Sequence, residues 1–229
     1  MKFAVESVYI AVFLTLGTYF FGVWLRSKLN SPLVNPLLIS AAILIAVLVG
    51  AHVDYAVYEK GAAPVHNLLG PATVSLAVPL YQQLEALKKN YLAILLGIVS
   101  GALSSAVCVL ALSVLFGLTH EQYVTLLPKS ITTAIGMGVS EEFGGIVPIT
   151  VAVIAITGNL GNMFAEVLCR WFHITDPVAR GIGIGSCSHA MGTARAMEMG
   201  EVEGAMSSLS IAVSGMITVV IASVFATFY

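Results

Sequence analysis

Charge is what this chain has least of. Of its 229 residues, 10% are Asp, Glu, Lys or Arg and 58% are hydrophobic. Soluble domains carry about 25% charged residues, and so few charges cannot cover the surface of a soluble core. The composition therefore points to one membrane-embedded unit. Net charge is −2, with no basic surplus, which excludes a typical nucleic-acid binder. Cysteine is also scarce. Cys108, Cys169 and Cys187 show no CxxC spacing, and Cys108 lies inside an apolar run. Neither a disulfide framework nor a zinc site is expected, and the three read as small buried apolar residues. The strand-like alternation of outer-membrane barrels, over ~10-residue units, is missing as well. So is a small-x-small cleavage site after the first apolar run, which spans about Ser7 to Leu25 and ends in "TYFFGVWLRSK". That run reads as a retained transmembrane helix rather than a secretory signal.

What is present is a series of long charge-free intervals. They lie between Glu6 and Arg26, Lys28 and Asp54, Lys60 and Glu85, Lys89 and Glu121, Glu142 and Glu166, and after Glu203. Each is long enough, at roughly 19 residues or more, to cross about 30 Å of hydrocarbon as a helix. Helices are required because every backbone group must be paired within the segment. The expected fold is an all-α integral membrane protein with about 6–8 transmembrane or re-entrant helices. Two further charge-free intervals, Ser130 to Ser140 and Gly181 to Ala194, are too short to span and rich in Gly, Ser and Thr. They read as broken or re-entrant helices, which a membrane tolerates where they are buried in protein or line a wet cavity. Placing Arg26 with Lys28, Lys88 with Lys89, and Arg170 with Arg180 in the cytoplasm follows the positive-inside rule and puts the N-terminus outside.

Two of the interrupted segments resemble each other. "PATVSLAVPLYQQ" (Pro71 to Gln83) and "SITTAIGMGVSEE" (Ser130 to Glu142) share a Thr at the third position, Thr73 and Thr132. A small residue follows, Ala77 or Gly136, then a helix breaker, Pro79 or Gly138, and a polar pair at the end. Helices beginning at Pro71 and Pro128 inside the membrane would offer unpaired N–H groups to an anion. Corresponding interruptions in two halves point to an inverted repeat and a transporter site near the midplane. Two Pro-kinked helices with a chance likeness are the other reading. Thr73, Ser75, Ser130, Thr132 and Thr133 are the candidate hydroxyl donors.

The stretch "GIGIGSCSHAMGTARAMEMGEVEGA" (Gly181 to Ala205) is the third. It follows no strand, so a dinucleotide fingerprint is not indicated. Gly181 and Gly185 form a GxxxG spacing suited to close helix packing. On a helix Ser188, Gly192 and Arg195 share a face, as do His189 and Thr193. Ser188 and His189 are sequence neighbours that do not face each other, so no hydrolase dyad and no enzyme is expected. Arg195 is either a bidentate clamp for a substrate carboxylate or the partner of Glu198 one turn on. His189 is either a hydrogen-bonded structural residue or a proton-coupling group. Of Glu141 and Glu142, one reads as solvated and the other as a candidate carrier of a proton or cation. Asn159, in "ITGNLGN", reads as an interhelical hydrogen-bonding residue.

The segments "NLLGPATVSLAVPLYQQ", "LLPKSITTAIGMGVSEEFGGI" and "DPVARGIGIGSCSHAMGTARAMEMGEVEGAMSSLS" occur in order, followed by a terminal apolar helix. Together they resemble the LrgB/CidB family of bacterial inner-membrane proteins from about Asn35 onward. The resemblance implies a single LrgB-like polytopic domain over 1–229, with broken segments near 66–83, 128–142 and 181–197. It implies two functions. One is alternating-access transport of small monocarboxylates, such as glycolate, glycerate, lactate or pyruvate. This follows from the related part of the plant plastidial glycolate/glycerate translocator. The other is a holin/antiholin-like regulator of murein hydrolase export and autolysis, acting with an LrgA/CidA-type partner. The expected partners are thus a small organic anion, the lipid bilayer, a second copy in a homodimer, and that membrane partner. No cofactor or metal is implied. One departure is visible: Ala134 stands in "TTAIGM" where the family commonly has proline, which permits a more continuous helix there.

Overall fold

The computed structural model describes residues 8–29, 35–75 and 77–229 and is helical, with no strand among them. The chain divides into two units, Met1–Ser75 and Leu76–Tyr229.

The first unit holds α1 (Val8–Leu29), α2 (Pro36–Gly50), α3 (Tyr55–Gly61), α4 (Ala63–Asn67) and α5 (Leu69–Ser75). Asn35 caps α2, accepting from the Leu37 amide, and Pro36 occupies the first turn, where its missing N–H costs nothing. Gly22 lets α1 approach closely: a Cβ there would stand 2.8 Å from the Pro36 carbonyl oxygen. Buried between the two helices, Thr18 Oγ1 and Ser40 Oγ share a hydrogen bond of 2.8 Å. At 15 residues α2 is only about 22 Å long, short of the hydrocarbon thickness. The interval from Lys60 to Glu85, long enough to cross and expected to be broken near 66–83, is divided among the short helices α3 to α6, with Pro64 in the first turn of α4 and Pro71 in that of α5.

The second unit holds α6 (Ala77–Gln82), α7 (Leu84–Phe116), α8 (His120–Leu126), α9 (Thr133–Glu142), α10 (Val147–Trp171), α11 (Pro177–Met199) and α12 (Glu201–Phe225). Gly117 ends α7 in the left-handed region, φ 61°. Thr119 and Gln122 form a capping box that starts α8. Asp176 caps α11, with Pro177 in its first turn. Helices α11 and α12 lie against each other along glycines: a Cβ on Gly181 would stand 2.5 Å from the Glu203 carbonyl oxygen, and one on Gly185 2.8 Å from Ser207 Cα. The GxxxG reading is thus a packing device. One core joins Ile94 and Ile98 of α7 to Ile182, Ala205 and Met206, and another surrounds Tyr123, whose hydroxyl donates to the Phe225 carbonyl at 2.9 Å.

Among the described residues, four helices are long and apolar enough to cross a membrane: α1, α10, α12 and the Leu87–Phe116 part of α7. Large apolar side chains on their outer faces stay uncovered, including Leu96, Leu112, Ile156 and Val220. In a bilayer such faces meet lipid and cost nothing.

Candidate functional site

The third interrupted segment breaks at one residue. Inside α11, His189 has φ 42° and ψ −140°, so two helical pieces meet there at an angle no regular helix allows. Helix α10 receives the break. Gly158 lies beneath the His189 ring and Gly161 beneath Ser188, where any Cβ would collide with them. The His189 Nε2–H donates to the Ile154 carbonyl oxygen at 3.0 Å, in a buried position. Asn162 Nδ2 donates across the helices to the Met191 carbonyl oxygen at 2.8 Å. These two bonds tie the broken helix to α10 on either side of the contact with Gly158. Asn159, expected to bridge helices, instead donates to the Ala155 carbonyl oxygen of its own helix at 2.8 Å. It sits one residue off the face that Gly158 and Asn162 share at i, i+4.

Cys187 and Ser188, just ahead of the break, form part of the wall of a cavity of about 700 Å³ in the second unit. That is within the size range of small-molecule sites, about 300–1,000 Å³. Leu160, Phe164, Leu168 and Ile184 supply an apolar lining, and Ser104, Ser105, Ser130 and Ser188 supply hydroxyls. All three cysteines line it, with Cys169 buried but Cys108 and Cys187 exposed, which corrects the expectation of three buried thiols. Lys129 and Arg180 are its cationic side chains. Lys129 Nζ donates to Ser130 Oγ at 3.1 Å, and Ser130 Oγ lies 3.1 Å from Ser105 Oγ on α7. The ion pairs among the described residues belong to Arg170, Arg180 and Arg195, and none to Lys129.

The remaining candidates fall in different places. Arg195 is engaged by two carboxylates: Glu198 at 2.5 Å, and Glu166 of α10 in direct contact. Glu166 also holds Arg170 at 3.0 Å, while Arg180 reaches Glu203 at 3.8 Å. Arg195 is thus ion-paired as the spacing to Glu198 allowed, with a second carboxylate, Glu166, that helix spacing alone could not find. Thr193 is fully buried, donating to the His189 carbonyl at 3.0 Å and meeting Ser207 Oγ at 2.7 Å. Its hydroxyl joins α11 to α12 and is absent from the cavity wall. The expected helix from Pro128 begins later: residues 127–131 form turns, and Thr132 precedes α9 without capping it through its side chain. Thr133 is the first residue of α9, which runs without interruption through Ala134, Gly136 and Gly138. Glu141 and Glu142 are both exposed at its end, and neither lines the cavity. Ser75 donates to the Ala72 carbonyl oxygen at 2.7 Å within the first unit. The side chain of Thr73 lies outside the described residues. No cluster of three or more potential metal ligands occurs among the described residues.

Lys129 is the residue that sequence reasoning missed. In "LLPKSITT" it looks like an ordinary loop charge, yet it is a lone cation between apolar segments. That isolation was the available signal.

Comparison with known proteins agrees with the architecture. The model of the LrgB-like family matches residues 15–228. The chain is 36% identical over 212 residues to a Holin-like protein CidB of Staphylococcus epidermidis, covering 93% of each chain. It is 35% identical to a Holin-like protein CidB of Staphylococcus aureus, again over 93% of each. An uncharacterized protein of Bacillus subtilis, YxaC, is 35% identical over 88% of this chain and 87% of its own. No solved structure matches the chain. A multi-pass all-α membrane protein with this match along nearly its whole length belongs to the LrgB-like family.

Proposed function

We propose that the protein is a holin-like membrane protein of the bacterial cytoplasmic membrane, acting with an LrgA/CidA-type partner to regulate murein hydrolase export and autolysis. The observation that carries this reading is the likeness to two Holin-like CidB proteins at 35–36% identity over 93% of both chains. The uncovered apolar faces of the spanning helices suit assembly within a bilayer. The test is deletion of the gene in its source bacterium, followed by the rate of detergent-induced autolysis and the murein hydrolase activity of the medium. The expected result is a shifted autolysis rate that the intact gene restores. An unchanged rate in both the deletion and the overexpressing strain overturns the reading.

A specific observation favours a second reading, transport of small monocarboxylates such as glycolate, lactate or pyruvate. It is the cavity beside the break at His189, with its hydroxyls and its Lys129 ammonium. A non-helical residue deep in a membrane protein is tolerated where it is buried or lines a cavity, and transporters use such breaks at their sites. Saturable uptake of a labelled acid into liposomes holding the purified protein supports this reading. Absence of uptake, with and without the partner, removes it.

A further inference from the structure

We propose that Lys129 is the charge that holds a small monovalent anion in the cavity, with the Ser105 and Ser130 hydroxyls beside it as hydrogen-bond donors. The inference rests on the cavity being a binding site, as the second reading requires.

Depth is the first argument. Ser130 is tied to Ser105 at 3.1 Å, and Ser105 lies eleven residues before the end of α7 at Phe116. At 1.5 Å per residue that is about 16 Å along the helix axis, or roughly half the hydrocarbon thickness. Lys129 is therefore attached to a backbone near the middle of the membrane-crossing part of α7.

Charge balance is the second. A half-buried ammonium at this depth costs several kcal/mol unless something compensates it. The arginines of this unit each have a carboxylate within 4.0 Å, whereas the Lys129 ammonium donates to a neutral hydroxyl, that of Ser130. Arg180, the other cation on the wall, is held by Glu203 and by the Ile174 carbonyl oxygen at 2.7 Å. The wall contributes no carboxylate, so one positive charge is left facing a cavity that otherwise offers hydroxyls and hydrocarbon. The complementary ligand carries one negative charge and accepts hydrogen bonds.

The native cysteines provide a readout independent of transport, because Cys108 and Cys187 are both exposed and on the cavity wall. The experiment treats the purified full chain with two methanethiosulfonates of similar size, one sulfonated and one bearing trimethylammonium. Modification of each cysteine is followed by peptide mass spectrometry, and rates are normalised to those of a free thiol in solution. The expected result is that the anionic reagent modifies Cys187 about tenfold faster than the cationic one. Lys129→Gln abolishes or reverses that preference, and Lys129→Arg keeps it. Arg195→Gln leaves it in place. Millimolar glycolate slows the reaction in the unaltered chain and not in Lys129→Gln. Equal rates for both reagents in the unaltered chain overturn the proposal, as does a preference that survives Lys129→Gln. Should Lys129→Gln fail to fold, a preference that is absent from the unaltered chain and from Lys129→Arg also overturns it. A retained, Lys129-dependent preference in a protein that moves no acid into liposomes leaves the anion site standing and removes only the transport reading.

Discussion

Asn162 Nδ2 donates to the Met191 carbonyl oxygen at 2.8 Å, from the middle of α10 to a residue two positions past the break in α11. The bond supplies a partner to backbone near a point where the regular i→i−4 ladder is interrupted, and it fixes the second helical piece to α10. Replacing Asn162 by Leu keeps the bulk and removes the donor. Hydrogen bonds between helices in membrane proteins are worth about 0.6 kcal/mol on average and up to about 1.7 kcal/mol. The upper part of that range is expected here, because the carbonyl loses a side-chain partner. Thermal unfolding in detergent measures it, and an unchanged midpoint would mean that the carbonyl finds another donor without cost.

Gly158 makes the contrasting case, since its importance lies in what it lacks. A Cβ there would stand 2.5 Å from His189 Cε1 and 2.6 Å from Nε2. Gly158→Ala therefore displaces the ring and breaks its bond to Ile154. The expected loss is about 1–3 kcal/mol, the usual cost of overfilling a tight core. Gly138 in α9 is the control, with nothing within 4 Å of its would-be Cβ. Gly138→Ala is expected to stabilise by up to about 1 kcal/mol through helix propensity alone. Equal effects at the two positions, read by thermal unfolding, would refute this account of the packing.

The backbone at His189 separates ring chemistry from strain. A φ of 42° with ψ −140° is a region that glycine enters freely and other residues enter at a cost of about 1–3 kcal/mol. Both His189→Gly and His189→Ala lose the bond to Ile154. Only the Gly variant also relieves the backbone. The expected order of unfolding midpoints is Gly above Ala, the reverse of their order in a regular helix. Ala above Gly would mean that the segment straightens once the histidine is gone.

How far the sequence carries is visible at these same residues. The spanning helices were legible because a bilayer forbids isolated charge, so the intervals after Lys89, Glu142 and Glu203 became α7, α10 and α12. The interval after Lys60 was legible as interrupted near 66–83 from its prolines, but the earlier break at Ala62, between α3 and α4, was not. The third interruption was legible from its glycines and serines. Its location at His189 was not, because a non-glycine residue with positive φ is held there by Gly158 and Ile154 of another helix. Helix spacing revealed Glu198 as a partner of Arg195. It could not reveal Glu166, which lies 29 residues away in sequence. Lys129 was hidden for the same reason: only the fold sets its turn against Ser105.

Arg195 is where the sequence and the structure suggest different experiments. As a substrate clamp its loss would abolish anion binding. As an ion-pair member it is expected to behave otherwise. Its side chain is 21% exposed and that of Glu166 44%, so the pair is partly wet and its strength modest, about 1 kcal/mol or less. Removing Arg195 leaves Glu166 with Arg170 at 3.0 Å, so no carboxylate is stranded. Arg195→Ala should therefore lower the unfolding midpoint slightly and leave the affinity for a small anion within about twofold, a change of under 0.5 kcal/mol. A double-mutant cycle with Glu166→Gln isolates the pair, and its coupling energy should account for most of the Arg195→Ala effect. Zero coupling together with lost anion binding would return Arg195 to the substrate. That outcome would also require the two carboxylates now holding its guanidinium to release it when the anion arrives.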